Sequence, residues 1–300
     1  MSATLTSDRS YARRCAQAVN ALHSIPYFTA DLADRLSPFG VTDRSSVYMA
    51  GRAAPLGAVD APVVTAVFNT FAPDFVAERV PAIWRQVSPE EAVAAREAAA
   101  GTALERLLST GVIRSAAMAE AAELAGRAAA ECSLPGRPLY AANAALDRPD
   151  EPHIALWHAS TMLREHRGDG HVAILGHAEL TGVEALVIDC ASELGMPKEI
   201  VRPMRGWTEA DWAAAQERLR ERGLVSREGV LTTRGTALRD EIEHETGRLD
   251  RRPYELLGGA EVGKLAEFTH GLVLMAAASQ AFPPPLRSFF APDTSQWSRL

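Results

Sequence analysis

Two His, two Arg, one Glu and one Asp crowd into the nine residues Leu163-Arg164-Glu165-His166-Arg167-Gly168-Asp169-Gly170-His171. A His titrates near neutral pH and can move a proton, and an Arg fork grips a carboxylate or phosphate. A neighbouring acid can fix the His tautomer. The run therefore reads as a site for acid–base chemistry on an anionic or polar small molecule. His158 precedes Glu165 by seven residues, almost two helical turns, so the two share a helix face. The catalytic candidates are His158, His166 and His171, with Asp169 and Glu165 as the acids that orient them. Gly168 and Gly170 are expected to turn the backbone here, so that His171 begins a new helix. The plain structural alternative is a pair of salt-bridged helix ends, with Asp169 as the cap of that new helix.

Other chemistries find less support. His158, His166, His171, Glu165 and Asp169 can be assembled into a metal site on paper. The five-residue step from His166 to His171 across two glycines is, however, not the H-E-x-x-H spacing. A haem held by one of these His residues stands on the same footing, and the sequence favours no cofactor, leaving haem and metal both open. No P-loop, dinucleotide fingerprint or nucleophile elbow is present. Cys15, Cys132 and Cys190 are widely spaced and form no C-x-x-C pair, which points to a reducing cytoplasm. The N-terminus lacks the apolar core of a signal peptide. The longest apolar run, 271–282, is too short to span a bilayer. The expectation is a cytoplasmic protein with no membrane role.

Helical periodicity dominates the elements that must carry these residues. Ser88-Pro89-Glu90-Glu91 and Thr208-Glu209-Ala210-Asp211 each place a capping residue before acids that suit the positive end of a helix. Each helix is followed by a Gly-containing turn and a second long helix. Arg137-Pro138 and Arg252-Pro253 close the two segments 115 residues apart, and Arg52 and Arg167 show the same offset. This suggests an internal duplication, with Arg52 and Arg167 facing one pocket between the repeats. The expected organisation is a first repeat at 1–147, a second at 148–258, and a C-terminal helix with a Pro-rich tail at 259–300.

The segment Leu219 to Gly235 reads as helix end, strand, tight turn at Gly229, strand, then a Thr-capped helix. It resembles the winged-helix unit of MarR-type regulators over roughly 170–248. Further residues are His23 with Tyr27-Phe28, Tyr48-Met49-Ala50-Gly51-Arg52-Ala53-Ala54-Pro55-Leu56-Gly57, Phe68-Asn69 and the Leu163–His171 run. Through these the chain resembles a large actinobacterial family of winged-helix-like proteins. The resemblance implies a mainly α fold of tandem winged-helix-like domains with short β-wings, and it supplies no catalytic residues. Arg52, Arg167, Tyr48, Asn69 and His23 are taken as the substrate-binding set, although His23 and Tyr27, four apart, also suit a buried hydrogen-bonded pair.

Net charge is −7 at pH 7, with 47% hydrophobic and 6% aromatic residues. DNA binding draws on Lys and Arg, and the first turn of the would-be recognition helix carries Glu209 and Asp211 instead. The expected partner is a small organic ligand, with DNA disfavoured. A ligand-responsive MarR-like regulator is the second reading, and a homodimer through the C-terminal helix is a third feature to test.

Overall fold

Helices begin where capping chemistry predicts. In a computed structural model, Ser88 accepts the Glu91 amide while Glu91 bonds back to the Ser88 amide, opening the helix Pro89–Leu107. Thr208 and Asp211 form the same reciprocal box before Glu209–Glu221. Each box satisfies backbone donors that would otherwise be orphaned at a helix start. Residues 2–192 and 195–292 are described, residues 2–11 by backbone course alone. The last eight residues of the expected C-terminal tail, 293–300, lie outside the described residues.

The chain is mainly helical. Among the described residues there is no β-strand, only an isolated antiparallel bridge between Val225 and Leu231. The expected wing is therefore corrected to a single bridge, closed by Ser226 N–H on the Val230 carbonyl and turned at Gly229, where φ is +82°. Five residues separate Val225 from Leu231, and the single pair they close is too little for a ladder. The matching segment of the first half forms no hairpin at all. There Ser109 and Ser115 cap the helices Thr110–Ile113 and Ala116–Ala130 and keep the backbone helical.

Three apolar clusters organise the molecule. The first joins the N-terminal helix Ser2–Phe28 with Ala116–Ala130, the front of Pro152–His177 and the late helix Gly259–Ala278. Phe282 and Phe290 stack at 4.8 Å and close on Phe28, so the chain beyond the late helix folds back onto this core. The second gathers Leu32 to Val87 with Ala92, Ala99 and Leu139 around the helix Arg44–Ala53. The third holds the helices Gly182–Cys190, Lys198–Met204, Glu209–Glu221 and Thr233–Leu249 around Trp212 and Leu219. Among the described residues this third unit, about 182–249, is the one that contains the β-bridge.

One element connects the clusters. The helix Pro152–His177 runs without interruption from Trp157 in the first core to Leu175 in the third. The expected turn at Gly168-Gly170 is corrected: both lie inside this helix. Glycine there costs roughly 1 kcal/mol each in helix propensity, and close packing explains why it is present. A Cβ at Gly170 would collide with the Arg137 guanidinium, and one at Gly168 would stand 3.2 Å from Arg164 Nη1. Among the described residues no single helix is long and apolar enough to cross a membrane.

Candidate functional site

An unbroken helix advances about 100° per residue, so the charged run fans out over several faces. Glu165 points to the second cluster. Its carboxylate takes both prongs of the Arg52 fork, Nε at 2.8 Å and Nη2 at 2.9 Å, and accepts from Arg164 as well. Arg52 also donates to Tyr48 Oη at 3.2 Å and stacks its guanidinium 4.3 Å from the Phe68 ring. Tyr48 and Arg52 lie four apart on Arg44–Ala53, which places them on one side of that helix.

The surroundings come from all three units. Tyr27, from the N-terminal helix, meets the Tyr48 ring edge-on at 5.1 Å and lies 5.3 Å from the His23 ring. His23 Nδ1 bonds Thr161 Oγ1 at 2.9 Å rather than Tyr27. Arg205 follows the helix Lys198–Met204 and lies 4.3 Å from the Phe71 ring and 5.8 Å from that of Tyr48. One backbone and one side-chain bond lock that junction: Ala72 N–H donates to the Arg205 carbonyl at 2.9 Å, and the Trp207 indole Nε1 to the Thr70 carbonyl at 2.8 Å. Asn69 adopts φ +54° at this crossing, and its backbone passes so close to Gly182 that no Cβ fits there.

Two guanidinium groups, Arg52 and Arg164, thus bind one carboxylate, and a third, Arg205, stands 5.8 Å from the Tyr48 ring. Burial pushes the Glu165 carboxyl up, but Arg164 and Arg52 outweigh it and hold it far below the usual carboxylate range. Burial likewise raises the Tyr48 phenol, yet Arg52, then Arg205 and Arg164, bring it down to about 8. Tyr27 Oη, Asn69 Oδ1 and Arg205 Nε are buried without a hydrogen-bond partner. Tyr27, Tyr48, Asn69, Arg164 and Arg205 all keep partial exposure as residues. The cluster is a half-buried, positively charged group of side chains with aromatic neighbours and unmet hydrogen-bonding capacity.

The remaining predicted residues go elsewhere. His166 Nδ1 bonds Asp250 Oδ1 at 2.8 Å in a pair that is almost fully buried. The Arg137 guanidinium donates to the His166 carbonyl beside it. Asp169 accepts the Tyr140 amide at 3.0 Å, so it caps the start of Pro138–Ala144 and not a helix at His171. Burial raises the Asp169 carboxyl to about 6. Arg167 pairs with Glu243 at 2.8 Å, and His171 Nδ1 meets Thr246 Oγ1 at 3.0 Å. Arg52 and Arg167 therefore do not face one pocket, because each is committed to a different acid. His158 and Glu165 share a helix but not a site: His158 lines a separate cavity against Ala116–Ala130.

The structure brings together Arg52, Tyr48, Glu165 and His23, with Asn69 at the edge of the cluster. Arg167, His166, His171, Asp169 and His158 are not part of it. Tyr27, Arg164 and Arg205 complete it. The spacing of His23 and Tyr27 pointed toward the first, whereas Arg205 gave no local signal. The metal set assembled on paper is dispersed by the same fan. Among the described residues no group of three His, Cys, Asp or Glu side chains is placed to hold a metal ion.

The exposed side of Glu209–Glu221 presents Glu209, Ala210, Asp211, Ala213, Ala214, Glu217, Arg218 and Glu221. Arg218, about half exposed, pairs with Glu184 at 2.7 Å. Residues 12–283 match the sequence model of a helix-turn-helix family. Searches of curated proteins and of solved structures return no match.

Proposed function

The chain belongs to this helix-turn-helix family, and from that premise we propose that it is a small-molecule-binding protein that has given up DNA reading. The ligand is a small organic anion held where the three units meet. One observation carries the reading: Arg52 and Arg164 bind one ionised carboxylate, Arg205 stands beside the Tyr48 ring, and the three guanidinium groups draw the Tyr48 phenol down to about 8. Excess guanidinium charge at a partly enclosed site favours a carboxylate or phosphate. The rings of Tyr27, Tyr48, Phe68 and Phe71 suit an unsaturated body attached to it.

The chemistry this cluster supports is proton transfer. A phenol near neutral pH exchanges a proton, while fixed guanidinium groups stabilise developing negative charge. Tyr48 takes the acid–base role that the sequence assigns to His158, His166 and His171. Arg52 and Glu165 set its position, Arg164 and Arg205 meet the ligand charge, and Tyr27 with Asn69 offers hydrogen bonds.

Loss of DNA binding rests on the acidic exposed side of Glu209–Glu221, where a recognition helix needs donors and positive charge. Titration calorimetry with sodium benzoate and with inorganic phosphate tests the ligand reading on the full chain. Saturable binding that weakens at least about tenfold in Arg205→Gln is expected. No heat from either probe at about 10 mM in low salt refutes it. A mobility shift on duplex DNA should show no retardation at low ionic strength. Retardation that falls steeply with salt would favour a regulator instead.

A further inference from the structure

His158 is buried to 5% exposure, yet among the described residues it forms no hydrogen bond or ion pair. The hydrogen-bonding capacity of such an imidazole is left to whatever occupies the space beside the ring. The ring lines a cavity of about 260 Å³ between Pro152–His177 and Ala116–Ala130. That exceeds the roughly 150 Å³ apolar cavity known to admit benzene. We propose that this cavity is a second small-molecule site, separate from the arginine–tyrosine cluster, which takes an uncharged molecule with a compact apolar body and one hydroxyl group.

The lining sets this class. Ala159, Ala144, Leu146 and Met162 supply apolar walls, and the short Ala side chains leave the volume open. Burial, then Arg96 and Arg148, push the His158 imidazole down to about 4, so it is neutral at pH 7. A neutral imidazole offers one N–H donor and one bare nitrogen acceptor, which matches a hydroxyl in either sense. Arg148 stands at the rim with its side chain 57% exposed and bonds Glu123 at 3.2 Å. Its charge is answered outside the cavity, and no carboxylate lines the interior to receive a cation. An ion would enter without a counter-charge, at a desolvation cost that a neutral molecule avoids.

Fluorine NMR of 4-fluorophenol and of fluorobenzene, each titrated with the full chain at pH 7.5, tests this site. Both probes should bind saturably, and 4-fluorophenol more tightly. His158→Phe should weaken 4-fluorophenol about tenfold and leave fluorobenzene unchanged. Ala159→Leu should abolish both, and Ala144→Leu serves as a second filling variant if the first alters thermal unfolding. Arg205→Gln, which cripples the anion site, should leave both affinities intact. Absence of saturable binding overturns the proposal. So does binding that survives both filling variants, or one that follows Arg205→Gln.

Discussion

Glu165→Gln should be among the most destabilising single substitutions in this protein. The wild-type carboxylate is 1% exposed and holds Arg52 through two bonds of 2.8 and 2.9 Å, with Arg164 as a third donor. Neutralising it leaves two guanidinium groups without an ionised partner. Breaking a buried pair from one side typically costs about 3–5 kcal/mol. Arg52→Met is expected to cost less, about 2 kcal/mol, because Glu165 keeps Arg164, which water reaches. The double variant Arg52→Met/Glu165→Leu should cost less than the sum, since no buried charge is stranded and the pair is replaced by apolar volume. Urea unfolding followed by far-UV circular dichroism and tryptophan fluorescence measures each loss. For a chain of this length Glu165→Gln should lower Tm by roughly 8 °C or more. The control is Glu123→Gln at the exposed Arg148 pair, expected within about 1 kcal/mol of wild type. The folded-state pKa of Glu165 is depressed, so its contribution is full above the unfolded value near 4.3 and falls away as pH drops below it. A Glu165→Gln loss no larger than that of Glu123→Gln refutes the argument.

Gly170→Ala should destabilise the fold by about 2 kcal/mol despite the better helix propensity of Ala, because the new Cβ displaces the Arg137 guanidinium from its carbonyl partners. Gly176→Ala, in the same helix with nothing within 4 Å of the added carbon, should be neutral or stabilising by up to about 1 kcal/mol. Thermal melts of the two variants side by side check the contrast, and an equal response would contradict it. Asp169 titrates near 6 in the folded state and near 3.9 unfolded. A raised acid pKa means the fold retains the proton, so this stability is full below about pH 4 and is lost as pH rises through 6. Asp169→Asn keeps an acceptor for the Tyr140 amide and should remove that loss. Denaturation at pH 4, 6 and 8 should show the variant gaining on wild type as pH rises, and parallel curves would refute the assignment.

What could be read from the sequence was local. Ser88 with Glu91 and Thr208 with Asp211 announce helix starts because the capping bonds join residues three apart. Gly168 and Gly170 announced a turn for the same local reason, and wrongly. The neighbour that needs the missing Cβ at Gly170 is Arg137, more than thirty positions away and recognisable only after folding. Once the helix is continuous, a 100° step per residue sends Glu165, His166, Arg167 and His171 to different partners. The density of charge that marked the run thus reflects one helix serving several interfaces. Arg52 and Glu165, 113 residues apart, were each singled out, but their mutual bond was not predictable from either. The matched offset of Arg52 and Arg167 suggested a shared pocket that side-chain pairing does not provide. Arg205 closes the site from a third unit as one arginine at the end of a short helix, with no pattern to betray it.

In the proposed function the arginine cluster holds a small organic anion beside Tyr48. Carbon-13 NMR of ring-labelled tyrosine, assigned with Tyr48→Phe, follows the Tyr48 phenol through its titration with and without sodium benzoate. The expected midpoint is near 8 in the free protein and, by linkage, rises toward the ordinary value of about 10 when benzoate neutralises the cluster. A Tyr48 midpoint already near 10, or one that benzoate does not move, would contradict it.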